Sequence, residues 1–343
     1  MATNNRTEAI LRSVLDGGTI SKGDAEHLLS LREDSLEASL LRSAGNDVAR
    51  KRFSNTALLL GQIGVDMGPC DGGCGFCAFA KPHTTIEASC LSTEEVVARC
   101  QGFARGGAKG VFLMTMHRFG FGWFLDLCAA VRKAVPPDLQ ILANVGDLEL
   151  SQLAALRAAG VSGAYHVCRL REGVDTRVSP AQRHATIEKI LEMDLDWYNS
   201  CEPIGPEHTP SELVEQIWLG VDLPCRQHAA MRRFSVPGSP LYEQGQISLA
   251  RLAQIVAVIA LAASQQKHLA SIAVHESNVI GLMSGANALY PEAGEPAAAA
   301  MTPDRREDGF TTALWRQSKE ITTADCRAML ALAGFGAARD QRK

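Results

Sequence analysis

Residues 70–77 read Cys-Asp-Gly-Gly-Cys-Gly-Phe-Cys, so Cys70, Cys74 and Cys77 follow a C-x3-C-x2-C spacing. The thiols share a short glycine-rich loop, and glycine allows a backbone to wrap closely around a bulky group. Three thiolates on one loop can hold three corners of a 4Fe–4S cluster and leave the fourth iron without a protein ligand. Open metal sites are typically catalytic, whereas closed ones are structural. The loop therefore predicts an enzyme with an iron–sulfur cluster.

A zinc site and a disulfide framework both fit these cysteines less well. A zinc site usually takes four ligands in two paired knuckles, and no second C-x2-C occurs in the chain. A disulfide framework suits short secreted proteins, whereas this chain has 343 residues, ten cysteines and no apolar signal segment. We therefore expect metal chemistry in a reducing compartment, the cytoplasm.

The composition limits the classes of protein to which the chain can belong. The length suits one large unit with additions, and 46% of the residues are apolar, which is enough for a sizeable core. The formal net charge is −4 and no strongly basic face is evident, so we expect no nucleic acid partner. No window approaches 18 uninterrupted apolar residues, so we expect no membrane-spanning helix and no membrane partner.

The order of apolar patterns predicts a parallel barrel. Residues 1–52 read as an N-terminal helical cap, residues 53–291 alternate short apolar runs with amphipathic stretches, and residues 292–343 form a tail with one helix. Ser92 to Glu95 form a capping box that opens one of the helices. Such alternation gives right-handed βαβ units. The predicted fold is α/β, a TIM-type (β/α) barrel with helical extensions at both ends, and its ligands should bind where the cysteine loop lies.

The cysteine loop resembles the signature of the radical S-adenosylmethionine enzymes, in which an aromatic residue, here Phe76, precedes the third cysteine. The string from Cys74 to Phe79 is similar to the biotin-synthase-like and thiazole-synthase-like branches. The resemblance implies a radical S-adenosylmethionine barrel whose open iron binds the amino and carboxylate groups of S-adenosylmethionine. One electron then releases a 5′-deoxyadenosyl radical, which abstracts a substrate hydrogen. It further implies that Phe76 packs near the adenine and that Phe79 belongs to the cofactor site.

Several strand ends resemble cofactor-binding positions of this family. Met114 and Thr115 end the second strand, where the family contacts the methionine moiety, although the usual Gly-Gly-Glu is absent. Asn144 ends the third strand, where it could bond a ribose or carboxylate, or form an Asx turn. The resemblance implies that Arg183 pairs with the carboxylate of S-adenosylmethionine, because a bidentate bond can clamp that ligand.

Four further residues belong to the predicted cofactor site by the same resemblance. Arg169 and Glu172 follow the fourth strand, and Glu172 would help to bind the charged end of the ligand. Gly205 lies in a variant of the fifth-strand G-x-I-x-G-x-x-E motif and lets backbone approach the adenine. Val236 begins Val-Pro-Gly-Ser-Pro-Leu, similar to the V-P-G-T-P-L of biotin and methylornithine synthases, and would touch the adenine.

Two adjacent arginines and a histidine are the candidate substrate-binding residues. Arg232 and Arg233 occupy the sixth strand, so one of them must face inward. A buried guanidinium needs an anion, either a substrate carboxylate or a structural carboxylate. His275 ends the next strand. The segment Met283–Asn287 resembles the M-A-G-A-N ending of biotin synthase, so the resemblance spans about residues 56–291.

Three further cysteines bear on the reaction. Cys168, Cys201 and Cys225 lie on or just before successive strands, and Cys168 and Cys201 could face the lumen together with His275. Such a set could hold an auxiliary iron–sulfur cluster, which biotin synthase uses as a sulfur donor, or the three residues could be buried thiols. The second and third strands contain no cysteine, unlike biotin synthase, and Tyr165–Cys168 replaces its Tyr-Asn-His-Asn motif. We therefore expect a biotin-synthase-like enzyme that is not biotin synthase itself.

The sequence leaves two reactions and one non-catalytic role open. The leading expectation is sulfur insertion, as in biotin or lipoyl synthesis, on a small-molecule or carrier-bound acyl substrate with a second cluster. The alternative is radical rearrangement or C–C fragmentation of an amino acid or small carboxylate, as in methylornithine or thiazole-type synthases, with one cluster. Hydrogenase maturases fall in the same group. Either reaction needs an electron donor such as ferredoxin or flavodoxin. A redox scaffold is the non-catalytic possibility.

Overall fold

The computed structural model describes residues 5–295 and 320–336. Three helices come first, and Ser21 and Ser35 cap the second and third through their side chains. These helices are α1 (Asn5–Leu15), α2 (Lys22–Leu29) and α3 (Leu36–Arg52). They lie within the segment that the sequence predicts to be a helical cap.

Eight parallel strands follow and close into a barrel, which confirms the predicted fold class. Closure is direct, since Leu58 and Leu59 of the first strand pair with Ala288 and Leu289 of the last. The short second strand is antiparallel and extends the end of the first. The strands are β1 (Leu58–Met67), β2 (Ser89–Cys90), β3 (Gly110–Thr115), β4 (Gln140–Asn144), β5 (Gly163–Tyr165), β6 (Asp196–Ile204), β7 (Cys225–Arg232), β8 (Ser271–His275) and β9 (Ala288–Leu289).

Helices cover the outside of the barrel. The predicted capping box forms, because the side chain of Ser92 accepts from the backbone of Glu95 while Glu95 Oε2 accepts from Ser92 N at 2.8 Å. The helices are α4 (Thr93–Arg105), α5 (Phe121–Ala134), α6 (Leu150–Ala158), α7 (Pro180–Glu192), α8 (Pro210–Asp222), α9 (Leu249–Ala262), α10 (Val279–Leu282) and α11 (Thr323–Leu332), with a 3₁₀ turn at Tyr242–Gln244. None of the described helices is long and apolar enough to pass through a bilayer.

Two apolar cores fix which side of each strand faces the site. The larger core fills the space between the strands and the outer helices. The smaller one lies inside the barrel, where the ring of Phe112 contacts Tyr165, Tyr198 and Tyr290 edge-on at 5.4–5.9 Å between centroids. Because successive residues of a strand point to opposite faces, each strand divides its side chains between these two cores.

Candidate active site

The cysteine loop is fixed over the barrel by backbone hydrogen bonds. Cys70 N donates to Phe79 O at 2.6 Å, which closes the loop on itself. Gly75 N donates to Asp175 O at 2.8 Å, and Leu241 N donates to Gly75 O at 3.0 Å. The segments that follow β5 and β7 therefore hold the loop from two sides.

Glycine keeps the space between the thiols open. Gly73 has φ +61°, and a Cβ there would lie 2.6 Å from Cδ of Arg177. A Cβ on Gly72 would lie 3.5 Å from Cys70 Sγ and 3.6 Å from Cys74 Sγ, so these two thiols flank the same point. A larger residue would crowd the space that a bound group must enter.

The three loop thiols suit a cluster better than a single ion. All three are free and line one cavity. Among the described residues, one set of three potential metal ligands has its ligand atoms within 4.8 Å of one another, and that set does not include the loop thiols. The three thiols are therefore spaced too widely to share one ion. Burial raises the pKa of Cys77 to about 12, so a thiolate here needs bound positive charge. The irons of a 4Fe–4S cluster supply such charge.

The thiols open into a space of about 130 Å³ beside the ends of β3, β4 and β5, which we name the mouth cavity. Five of the sequence-predicted cofactor residues meet there, namely Phe79, Thr115, Asn144, Arg169 and Arg183. The remaining lining includes Gly72, Met116, His117, Val145, Gly146, Tyr165, His166, Val167 and Val178. The mouth cavity thus combines the thiol loop with two guanidinium groups.

A second space of about 230 Å³, the lumen cavity, lies inside the barrel. It shares part of its wall with the mouth cavity, and the shared residues are Cys77, Phe79, Asn144, Tyr165 and Arg169. The sequence-predicted residues Met114 and His275 line it. Its other lining residues are Gln62, Met67, Phe112, Ser200, Glu202, Ala229, Met231 and Tyr290. The two cavities are therefore neighbours, and these five residues line both.

Arg169 stands between the two cavities. Its Nε lies 3.3 Å from Oε1 of Glu202, and its Nη1 lies 3.7 Å from Oε2 of Glu172. Burial lowers the pKa of Arg169, but the two carboxylates outweigh this and raise it above its ordinary value. The hydroxyl of Tyr165 donates to Glu202, and burial followed by the Glu202 charge raises the pKa of Tyr165. Arg169 is thus a fixed cation, and Tyr165 a neutral phenol.

Arg183 is the second guanidinium that lines the mouth cavity, and it is buried, with 6% of its surface exposed. Its Nη1 lies 3.3 Å from Asp147 Oδ1 and 3.3 Å from His166 Nε2. Its Nε is buried and makes no hydrogen bond to the described residues. The carboxylate oxygen that pairs with this Nε is Glu172 Oε2, at 3.9 Å. A buried donor without a partner at a cavity wall is suited to bind an anion.

The other predicted cofactor residues lie outside the two cavities. Glu172 is buried behind Arg169 and accepts from its backbone N–H at 3.0 Å. Gly205 follows β6, where a Cβ would touch Arg233 rather than a ligand space. Phe76 and Val236 line neither cavity. The predicted adenine contacts of Phe76, Gly205 and Val236 stay predictions. The predicted role of Glu172 at the charged end of the ligand also stays a prediction.

The two arginines of the sixth barrel strand have carboxylate partners within the chain. Arg232 pairs with Glu276, and Arg233, which is 1% exposed, donates from Nη2 to Glu207 Oε2 at 2.9 Å. Neither lines the lumen cavity. The structural-carboxylate alternative therefore describes both, and Arg169 is the guanidinium that a lumen ligand would meet.

Cys168 and Cys201 do not meet in the lumen, so the alternative of buried thiols describes them. Ser200 and Glu202 line the lumen cavity, so Cys201 between them points to the opposite side and lies in the outer core. Cys168 lines a groove on the outer surface beside α8. The strand itself separates Cys201 from the lumen.

Cys225 also lies on the outer side. It is fully buried in the outer core, and its thiol donates to Gly220 O of α8 at 3.0 Å. Burial raises the pKa of Cys225 to about 12, so it is a neutral thiol. Among the residues that the structure describes, Cys77 is the single cysteine that lines the lumen cavity. The three barrel cysteines do not form a second cluster site there.

Sequence reasoning does not single out three residues that the structure places in the site. Tyr165 ends β5, His166 follows it, and Asp147 lies three residues beyond β4. All three sit at carboxyl ends of barrel strands, where ligand chemistry collects. That position is the signal in the sequence that could have identified them.

Comparisons of sequence connect the chain with biotin synthases. No protein-family model matches it. A biotin synthase of Nocardioides sp. is 29% identical over 299 residues, which span 78% of this chain and 77% of the relative. A biotin synthase of Desulforudis audaxviator is 26% identical over 299 residues, which span 82% and 88%.

Comparisons of structure give the same barrel. The crystal structure of methylornithine synthase (PylB) has a TM-score of 0.72 at 18% identity and covers 93% of this chain and 99% of that one. The FeFe-hydrogenase maturase HydG from Carboxydothermus hydrogenoformans has a TM-score of 0.69 at 15% identity and covers 83% and 70%. At these identities the likeness shows the fold.

The sequence relatives, the closed barrel and the thiol loop at its mouth agree with one another. The likeness to this family implies a 4Fe–4S cluster and S-adenosylmethionine, and the spacing, burial and cavity of the loop thiols fit those groups. Together these findings support a radical S-adenosylmethionine enzyme of the biotin-synthase-like group.

Proposed function

We propose that the enzyme abstracts a hydrogen atom from an amino acid bound in the lumen cavity and guides its rearrangement or C–C fragmentation with a single cluster. The observation that carries this proposal is the lining of the lumen cavity. It contains the Arg169–Glu202 pair and no cysteine other than Cys77 in the described part of the chain.

The charges of the lumen suit a zwitterion. Arg169 offers a cation and Glu202 an anion at one wall, 3.3 Å apart. An α-carboxylate can bond the guanidinium while an ammonium group bonds Glu202, and both partners stay neutralised in a buried place. Phe112, Met114 and Met231 line other parts of the cavity and suit an apolar stretch of a side chain.

Sulfur insertion is the alternative, and the likeness to biotin synthases supports it. That reaction needs a sulfur donor next to the substrate. The cysteines proposed to hold one, Cys168, Cys201 and Cys225, lie outside the lumen. The lumen chemistry therefore favours the single-cluster reaction.

Different residues would bind S-adenosylmethionine in the mouth cavity and the amino acid in the lumen cavity. Bound at the loop, the cluster and S-adenosylmethionine supply the 5′-deoxyadenosyl radical. Arg183 and Asn144 would bind polar ends of S-adenosylmethionine in the mouth cavity. Arg169 and Glu202 would hold the amino acid in the adjoining lumen, and Tyr165 fixes Glu202 through its hydroxyl. The closed barrel wall keeps water from the radical.

The proposal includes a partner and a location. The radical S-adenosylmethionine chemistry needs a one-electron donor, and we propose a ferredoxin or flavodoxin. We place the enzyme in the cytoplasm because its ten cysteines are free in the structure and its cluster loop needs reduced thiols.

Two measurements on anaerobically reconstituted protein test the reaction. Iron and acid-labile sulfide should each be about four per chain, as for one 4Fe–4S cluster. Pools of perdeuterated L-amino acids, supplied with S-adenosylmethionine and reductant, should transfer deuterium to 5′-deoxyadenosine with one amino acid, as detected by mass spectrometry. Protein carrying Cys74→Ala is the matched control, and it should form no 5′-deoxyadenosine.

Sulfur insertion predicts a different result in both measurements. About eight irons per chain, with deuterium transferred from an acyl substrate such as dethiobiotin and from no amino acid, would overturn the proposal. Iron near four without any cleavage of S-adenosylmethionine would instead support a non-catalytic scaffold.

A further inference from the structure

Asp147 pairs with the buried His166 of the mouth cavity, and the proposed reaction gives this pair no role. Oδ1 of Asp147 lies 3.1 Å from Nε2 of His166. The pair reaches toward Arg183 rather than toward the thiol loop, since Nη1 of Arg183 lies 3.3 Å from the same Oδ1 atom.

The backbone aims Asp147 at this place. Gly146 packs directly against the carbonyl group of His117, and an added Cβ would overlap that oxygen. The turn after β4 therefore passes tightly under the turn after β3. Asp147, the next residue, thereby reaches His166 and Arg183 of the mouth cavity, with its side chain 24% exposed.

His166 is fixed by its own backbone. Its N–H donates to Tyr198 O at 3.2 Å, and its carbonyl accepts from Trp197 Nε1 at 2.8 Å. Its side chain is 3% exposed. Burial is the main cause that lowers the pKa of His166 to about 4, so the ring is neutral near pH 7. A neutral ring that donates from Nε2 to Asp147 keeps a lone pair on Nδ1.

Nη1 of Arg183 lies 3.5 Å from Nδ1 and 3.3 Å from Nε2 of His166, so it approaches both nitrogens of the ring. Asp147 and His166 thus engage the same end of the guanidinium. The opposite Nε is buried without a hydrogen bond to the described residues. Glu172 Oε2, at 3.9 Å, is the competing carboxylate that Arg183 would approach if its Nη1 end were released.

We propose that Asp147 and His166 are positioning residues, which hold the Nη1 end of Arg183 so that its Nε edge stays open to a ligand carboxylate in the mouth cavity. The inference rests on the part of the proposed function that gives Arg183 the carboxylate of S-adenosylmethionine. It does not depend on which substrate enters the lumen.

The test measures equilibrium binding to the oxidised, cluster-loaded enzyme, which does not turn over. The ligands are S-adenosylmethionine and its decarboxylated analogue, which lacks the carboxylate. The variants are Asp147→Asn, His166→Leu and His166→Gln. Lys189→Gln is the control, because Lys189 is on the same helix, α7, and pairs at the surface with Glu149.

Asp147→Asn and His166→Leu should weaken binding of S-adenosylmethionine about tenfold, the usual effect of losing one hydrogen bond to a charged group. Binding of the decarboxylated analogue should change less than about twofold, so the preference for the carboxylate falls. His166→Gln should restore most of the affinity, because its amide can donate to Asp147 and accept from Arg183. In turnover, KM for S-adenosylmethionine should rise while kcat at saturation holds.

Two outcomes would overturn the inference. Unchanged affinity in Asp147→Asn and His166→Leu would mean that Arg183 needs no support. An equal loss for both ligands, with His166→Gln as weak as His166→Leu, would mean that the pair only maintains the fold. If no amino acid proves to be the substrate in the lumen, these binding results are unaffected. The two proposals can therefore be refuted independently of each other.

Discussion

Replacing Cys201 and Cys225 together by alanine should leave the iron content and the cleavage of S-adenosylmethionine unchanged. Both thiols are fully buried in the outer core, on the far side of β6 and β7 from the lumen cavity. A second cluster would lose ligands in this variant, whereas a single cluster on the cysteine loop would keep all of its own.

The cost of the double replacement should appear in stability instead. Each sulfur is about the size of a methyl group, and deleting a buried methyl costs about 0.5–1.5 kcal/mol. Cys225 also loses its 3.0 Å hydrogen bond to Gly220 O, which contributes about 0.5–1.5 kcal/mol. The sum is roughly 1.5–4.5 kcal/mol, which lowers Tm by several degrees in a chain of this size.

The assay compares the variant with the wild-type protein and with Cys74→Ala after identical anaerobic reconstitution. Iron, sulfide, 5′-deoxyadenosine and Tm are measured on each. The expected pattern is wild-type iron with a lower Tm in the double variant, and lost iron in Cys74→Ala. A fall in iron from about eight to about four in the double variant, with cleavage lost, would refute the reasoning.

Three further predictions concern the lumen, the mouth and the pH dependence of stability. Glu202→Gln should weaken amino acid binding at least about tenfold, because the ammonium group of the ligand loses the carboxylate charge proposed to bind it; an equal loss for S-adenosylmethionine, measured by calorimetry, would contradict the division between the cavities. Gly146→Ala should cost about 1–3 kcal/mol and lower Tm, whereas Gly122→Ala, where an added Cβ meets nothing within 4 Å, should not. Burial lowers the pKa of His228 from 6.5 to about 4. The unfolded chain therefore gains a proton below pH 6.5 that the folded chain does not, and stability should fall between about pH 6.5 and 4. The loss at pH 5 is about 2 kcal/mol from this group, and an unfolding free energy that stays flat between pH 7 and 5 in denaturant titrations would exclude it.

Local patterns in the sequence predict the elements of the barrel because their causes are local. The capping box of Ser92 and Glu95 forms as its spacing indicates. The cysteine loop follows β1, and Asn144 and Thr115 lie at strand ends beside it. In each case a few neighbouring residues determine the outcome, so a single sequence carries the information.

Orientation within strands is harder to predict, although alternation determines part of it. Glu202 reads as an inward residue, and strict alternation then sends Cys201 outward. The predicted lumen position of Cys201 conflicts with that rule, and the structure follows the rule. Local patterns cannot identify the partners of Arg232 and Arg233, because Glu276 and Glu207 lie 44 and 26 residues away in sequence. Only the closed barrel brings such pairs together.

The two cavities are joined by a chain of alternating charge. Glu202 in the lumen contacts Arg169, Arg169 contacts Glu172, Glu172 lies 3.9 Å from Arg183, and Arg183 contacts Asp147 in the mouth. Each guanidinium lies between two carboxylates, so a ligand that draws one partner aside changes the balance along the chain. An amino acid that bonds both Glu202 and Arg169 would change how strongly Arg169 holds Glu172, and so how strongly Glu172 competes for Arg183. Occupation of the lumen would in this way change the affinity of the mouth for a carboxylate, and by linkage the reverse holds with the same factor.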